Sequence, residues 1–321
     1  MSRAFITGVT GQDGSYLAER LVAEGWDVHG LVRRTPLENE QSVPNGVSVH
    51  EGDLLDAEQL DATLQQVQPE LIVNLAGLTS VAASWDDPLS TFASSGGAVA
   101  TVLDSALRLQ NRTGREVRVV QASSAEIFGN PEQDPQNEAT PLVPVSPYGA
   151  AKAFAHLVVG VYRGRGLHAS SAILYNHESP RRPPTFVTRK ITQGAARIAR
   201  GLQEELVLGN LESRRDWGWA PDYVDAMMRM AAADEPDDYV IATGITHSVR
   251  EFVQAAFDAA GLGPFGDRVR VDAAFVRSTD ALAPRGDASA ARTKMGWAPT
   301  REFGSIIQSM VDADLARIDG R

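Results

Sequence analysis

Short apolar runs alternate with longer amphipathic stretches through the first half of the chain. Arg3–Thr7, Asp27–Val32, Val47–His50, Glu70–Ala76 and Val117–Ser123 carry the Val, Ile, Leu and Phe content of buried strands. Between them, apolar positions recur at the helical period over Tyr16–Ala23, over Ala57–Val67 and near Ala98–Leu109. This punctuation predicts an α/β fold, a doubly wound parallel sheet with helices on both faces. A helix from Tyr148 through Arg163 and a strand over Ala169–Tyr175 continue it, and then the texture changes to the Pro- and Arg-rich SPRRPPTFVTRK. Beyond lie a helix near Ile191–Gly201, a strand at Glu205–Leu208, a helix near Tyr223–Ala233, a strand at Tyr239–Ala242, a helix from Ser248 to Ala260 and a C-terminal helix. These pieces are too interrupted for a second sheet of the same kind. The expected division is therefore a main domain over residues 1–175, to which later segments contribute, and a smaller interleaved lobe over 176–321.

Composition narrows the class. A chain of 321 residues buries a large core without disulfides or structural metal, and the absence of Cys removes thiolate chemistry and zinc-thiolate sites. The formal charge of −11 opposes binding to nucleic acid or to anionic lipid, and no apolar run approaches the length of a membrane span. MSRAFITG enters a strand by its fourth residue, which leaves no room for a secretion signal, so a cytoplasmic protein is expected. An acidic chain that binds an anionic ligand must gather its arginines locally, which makes their placement informative.

Three groups of residues carry candidate chemistry. TGVTGQDG places Gly8, Gly11 and Gly14 between a strand and a helix, where glycine lets the backbone approach a pyrophosphate and the helix supplies free N–H donors. At the end of the next strand stand Arg33 and Arg34, where an NAD-specific site carries an acid; two guanidiniums there suit the 2′-phosphate of NADP. Asp53 and Leu54 follow the third strand and would flank the adenine, although Asp53 reads equally well as a helix N-cap. The second group is Ser124 and Glu126, directly after a strand, with Tyr148 and Lys152 one helical turn apart in SPYGAAK. An ammonium beside a phenol favours phenolate, so Tyr148 is a candidate general base. The third group is Arg181, Arg182, Arg189 with Lys190, Arg214, Arg215 and Arg277, either a diphosphate site or surface charge offsetting an acidic chain. His177 and Glu178 follow a strand end and are expected either to meet the nicotinamide or, for His177, to be a packed histidine with a local hydrogen bond.

TGVTGQDGSYLAE, VHGLVRR, QASSAEIFG, SPYGAAK, LYNHESPRR, FVTRKI, LGNLESRRDWG and VIATGITHSVREF span most of the chain, and with them the sequence resembles the extended short-chain dehydrogenase/reductase family and, within it, the GDP-mannose 4,6-dehydratases. The resemblance implies an NADP-dependent lyase that dehydrates GDP-mannose without net oxidation. In it Tyr148 takes the C4 hydroxyl proton, Glu126 serves the C5/C6 elimination, Ser124 holds the C4 oxygen, and Lys152 holds the nicotinamide ribose. It further implies that Gln12, Asp13, Leu75, Ala76, His177 and Arg182 contact the cofactor. Ser84, Asn176, Lys190, Arg215 and Arg277 would hold the sugar and diphosphate, Val187, Gly209 and Asn210 would surround the guanosine, and Asp280 would meet its ribose. A homo-oligomer, dimer or tetramer, is implied as well; in the family the loop after Arg34 supports tetramer contacts, and in this chain that loop lacks the family's usual sequence.

This chain departs from the family at Ser124, where threonine is usual, and in NLAGLTSV, which puts Leu78 and Ser80 where Gln and His are usual. A GDP-4-keto-6-deoxymannose reductase or a sugar-nucleotide epimerase would share the glycine loop, Tyr148 and Lys152 but needs no carboxylate at Glu126. A non-catalytic NADP sensor would need none of the four.

Overall fold

The computed structural model describes residues 2–33, 42–272 and 284–320, so Arg34, Arg277 and Asp280 lie outside the described residues. The central parallel sheet holds β1 (Arg3–Thr7), β2 (Asp27–Val32), β3 (Val47–Glu51), β4 (Leu71–Asn74), β5 (Arg118–Ala122), β6 (His168–Leu174) and a late arrival, Asp238–Ile241, which is β10 in chain order. Its strand order is β10-β6-β5-β4-β1-β2-β3. The smaller strands are β7 (Asn176–Glu178), β8 (Leu206–Leu208), β9 (Arg214–Trp219), β11 (Thr246–Ser248) and β12 (Val269–Val271). Of these, β11-β9-β7 form one small sheet and β12-β8 another.

Alternation along the central strands supplies two cores. Ala4, Ile6, Val73 and Val120 face α1 (Gln12–Ala23) and a helix of the second half, Ala220–Ala232. Phe5, Ile72 and Val119 face the other way, against α2 (Ala57–Val67) and two helices, Ala98–Thr113 and Pro147–Arg163. A short helix α3 (Pro88–Phe92) runs through a π turn at Ala93–Gly97 into Ala98–Thr113, so these are α4 and, for Pro147–Arg163, α5. Each fully buried Leu on these faces, such as Leu17 or Leu64, contributes about 1.5–3 kcal/mol.

Local signals set the helix ends. Asp56 accepts the Gln59 N–H to start α2, and Gly114 in the left-handed region closes α4. Ser146 accepts from Gly149 N and Pro147 occupies the first turn of α5.

The second-half core belongs to α6 (Val187–Ala199), α8 (Val249–Ala259) and α10 (Phe303–Ile318), closed around Trp217 and Leu206; α7 (Ala220–Ala232) and α9 (Ser289–Met295) pack instead on the main sheet. Helix α6 begins at Val187, four residues before the expected start, because PPTF ends where the period begins. Among the described residues no helix is long and apolar enough to cross a membrane, and no group of three His, Asp or Glu is placed to hold a metal.

Candidate active site

A cleft of about 550 Å³ opens at the carboxyl ends of β1, β2 and β4, where loops leave a parallel sheet. Another cavity, of about 440 Å³, lies at the opposite end against Trp26, Leu71, Arg118 and Met228, away from every candidate group.

The glycine loop forms the floor of the first cleft. Gly8 has φ +71°, and a Cβ there would stand 3.0 Å from the Ala76 amide nitrogen. At Gly14 a Cβ would fall 2.1 Å from the Gly8 carbonyl oxygen. Gly11 N–H donates to Gly8 O, and as the N-cap of α1 Gly11 offers no side chain to occupy the helix's first N–H groups. A side chain would fill this cradle, so the residues fit a phosphate-bearing dinucleotide. Arg33, Asp53, Leu54, Leu75 and Ala76 also line the cleft. Asp53 is not the cap of α2: its carboxylate accepts the Leu55 N–H at 2.9 Å, and Asp56 does the capping.

The segment NHES runs beside this loop as β7. Gln12 donates to the His177 carbonyl at 3.1 Å and to the Asp13 carboxylate at 3.2 Å, and it accepts from Ser179 Oγ at 2.8 Å. The His177 ring is held by the Tyr175 carbonyl through Nδ1 at 2.7 Å and by Asp13 through Nε2 at 2.8 Å. The ring is buried and both of its nitrogens are bonded within the protein. Burial pushes Asp13 up, but the charge and hydrogen bond of His177 outweigh it and hold the carboxyl below its ordinary range. Burial pushes His177 down, and Asp13 reverses this to a net rise.

The second group comes together as spacing suggests. Ser124 starts the one-turn helix Ala125–Ile127, its Oγ accepting the Glu126 N–H at 3.2 Å, and its side chain pulls the pKa of the Tyr148 phenol down. Gly149 is what lets Glu126 approach, since a Cβ there would lie 2.6 Å from the Glu126 carbonyl oxygen. Ser84 is buried; its Oγ accepts the Tyr148 N–H at 3.2 Å and donates to Val81 O at 2.7 Å, so it anchors the backbone of Tyr148. Lys152 Nζ donates to the Ala122 carbonyl at 2.9 Å and sits 5.8 Å from the Tyr148 ring centroid.

The expected depression of the Tyr148 pKa is absent here. Burial pushes the phenol up to about 12, opposed by the Ser124 side chain and the Arg182 charge and reinforced by Glu126. Burial brings Lys152 down to about 8.

The arginine set divides. Arg189 forms a buried ion pair with Asp314 that ties α6 to α10, so it faces away from any ligand. Arg181 lies 3.9 Å over the Tyr16 ring and bonds Ser15 and Glu19, and Arg214 bonds Glu251 and the Thr246 carbonyl. These three are committed to structure. Arg182 remains at the cleft, stacked 3.8 Å over Phe186 with its Nε 3.3 Å from the buried Glu178 carboxylate. Lys190 lies one turn into α6, after Val187, and α6 presses so close on β8 that a Cβ at Gly194 would be 2.8 Å from Leu206. Gly209 and Asn210 follow β8, with Asn210 Oδ1 accepting the Glu212 N–H at 2.9 Å, while Asn176 opens β7 and Arg215 lies on β9.

The family model for GDP-mannose 4,6 dehydratase matches residues 5–310. The chain belongs to the GDP-mannose 4,6-dehydratase family. GDP-mannose 4,6 dehydratase 1 of Arabidopsis thaliana is 42% identical, over 97% of this chain and 89% of its own, and the Homo sapiens GDP-mannose 4,6 dehydratase is 40% identical, over 97% and 91%. Among solved structures, the UDP-glucose 4-epimerase of Thermus thermophilus in complex with NAD superposes with a TM-score of 0.83 at 27% identity, covering 97% of this chain and 98% of that one.

For this GDP-mannose 4,6-dehydratase family member, sequence reasoning missed the role of Gly149, which had a signal: glycine in the first turn of a helix sacrifices helix propensity and asks for a close approach. Glu178, singled out with His177 for following a strand end, is buried, with the Thr188 hydroxyl donating to it at 2.6 Å and Arg182 Nε 3.3 Å away.

Proposed function

We propose that this protein dehydrates GDP-mannose to GDP-4-keto-6-deoxymannose with NADP bound in the cleft above the glycine loop. The observation that carries the reading is a carboxylate, Glu126, whose backbone N–H is held by Ser124 Oγ and whose charge acts on the Tyr148 phenol, in a chain of this family. NADP bound there supplies a hydride acceptor for C4 and a hydride donor for C6. Tyr148 takes the proton of the C4 hydroxyl, and Ser124 hydrogen-bonds that oxygen as it becomes a carbonyl. The ketone acidifies C5. Glu126 removes the C5 proton and delivers a proton to the departing C6 hydroxyl, which leaves as water. A proton returned to C5 as C6 gains its hydride closes the count. Incubation with GDP-mannose and NADP should yield a 4-keto-6-deoxy sugar, seen by mass and NMR as loss of one water with no net NADPH. An unchanged sugar, or stoichiometric NADPH, overturns the assignment.

NADP is the proposed cofactor rather than NAD because Arg33 lines the cleft after β2, with Arg34 next in sequence. Replacing both by alanine should weaken NADP binding by about 1.5–3 kcal/mol for each charged hydrogen bond lost and leave NAD nearly unaffected, as measured by titration. Equal affinities of the wild type for the two dinucleotides would contradict the choice.

We also propose a dimer built on α5. Its outward face, Ala150, Phe154, Leu157, Gly160 and Val161, carries no polar side chain, and Phe154, Leu157 and Val161 are 37%, 60% and 61% exposed. Phe92 of α3 extends it, its ring 5.3 Å from that of Phe154. An exposed helix face without a polar side chain marks a contact surface, and a two-fold pairing of α5 with its copy covers it. Leu157→Glu should give a monomer by sedimentation while the wild type runs as a dimer or larger.

A further inference from the structure

The phosphate-binding turn contains an acid. Asp13 lies in the first turn of α1, lines the cleft, and sits between Gly11 and Gly14, where an incoming dinucleotide brings negative charge. A carboxylate there favours the helix dipole but repels a pyrophosphate.

His177 answers that charge. Its two ring nitrogens face two oxygen acceptors, the Tyr175 carbonyl and the Asp13 carboxylate. A neutral imidazole has one N–H and would turn a lone pair toward one of those oxygens; only the imidazolium satisfies both. The ring is stacked on Tyr223 of α7, centroids 4.5 Å apart at 26°, so it cannot swing away without unpacking that face. The other charged groups around it are Arg182 and Glu178, which pair with each other. Gln12 completes the frame by bonding both Asp13 and the His177 backbone.

We propose that His177 acts on the dinucleotide through Asp13, as a protonated partner that cancels the acid in the phosphate turn and thereby makes the turn able to hold a pyrophosphate. This rests on the reading of the cleft as a nicotinamide dinucleotide site and assigns His177 as a positioning residue rather than a direct contact. The raised pKa of His177 sets the direction of the pH dependence. The pair is neutral below that pKa, and Asp13 stands uncompensated above it, so affinity is full at low pH and falls as pH rises through it.

The test is a double-mutant cycle read by calorimetric titration of NADP, with NAD as the probe that lacks the ionising 2′-phosphate. His177→Asn should weaken binding on the order of 10- to 100-fold, and Asp13→Asn in that background should recover most of the loss. Wild-type affinity should drop as pH rises above the ordinary histidine range more steeply than that of Asp13→Asn. A slope common to both proteins belongs to Lys152, so the difference between them is the readout. If the double variant binds as weakly as His177→Asn, or if the two pH profiles coincide, the proposal is wrong. Should His177→Asn fail to fold, the comparison of wild type with Asp13→Asn still decides. A wild type that binds neither dinucleotide overturns the cleft assignment itself, a different result from binding without coupling.

Discussion

Tyr148→Phe should lower kcat by roughly 10²- to 10⁴-fold while GDP-mannose and NADP still bind. The ring is 7% exposed and stays packed in the variant; only the hydroxyl is lost. Hydride cannot leave C4 efficiently while the C4 oxygen keeps its proton, so the deficit belongs in chemistry and not in KM. The pH profile gives an independent check. With Tyr148 pushed up to about 12, the phenolate fraction grows with pH, and kcat/KM should rise with it, the slope easing near pH 8 as Lys152 loses its charge. The Phe variant should lack the rise. Wild-type turnover by Tyr148→Phe, or loss of GDP-sugar binding, would remove Tyr148 from its role.

Glu126→Gln should stop the reaction after its first half. The amide keeps the size and hydrogen bonding of the side chain but has no basicity, and the carboxylate is needed only once the C4 ketone has made C5 acidic. Mixing the variant with GDP-mannose and NADP should build up NADPH absorbance while the 4-keto-6-deoxy product stays at or below about one hundredth of the wild-type rate. Exchange of the C5 proton with deuterated solvent should fall in parallel. Substantial product with unchanged exchange would name another base and restore the reductase or epimerase alternatives, which need no carboxylate here.

The strand–helix alternation of the first half was legible because each element carries its own period and its own ends: Ala57–Val67 and Arg3–Thr7 lie where the pattern puts them. Short edge elements were not. β7, β9 and β11 contain His177, Arg215, Asp216 and Ser248, residues with little strand preference, and they become strands only by pairing with one another. The site divides in the same way. Ser124, Tyr148 and Lys152 were readable because a strand end and a single helix bring them together. Arg181, Arg189 and Arg214 could not be told apart from phosphate ligands because charge type is visible in sequence and a buried partner such as Asp314 is not.

The position of β10 governs the order in which this molecule can be assembled during synthesis. It pairs with β6 through Asp238↔Ser171 and Ile241↔Leu174, and α7 covers the α1 face of the same sheet. A ribosome that has released residues 1–175 has made six of the seven strands, yet β6 still presents an open edge and the layer under α1 lacks its second helix. Closure waits until residue 241 emerges, by which time α6, β8 and β9 are already outside. The two halves of the chain therefore cannot mature one after the other. They finish as one cooperative unit, and the chain passes through most of translation with an adhesive strand edge that only its own later sequence can cover.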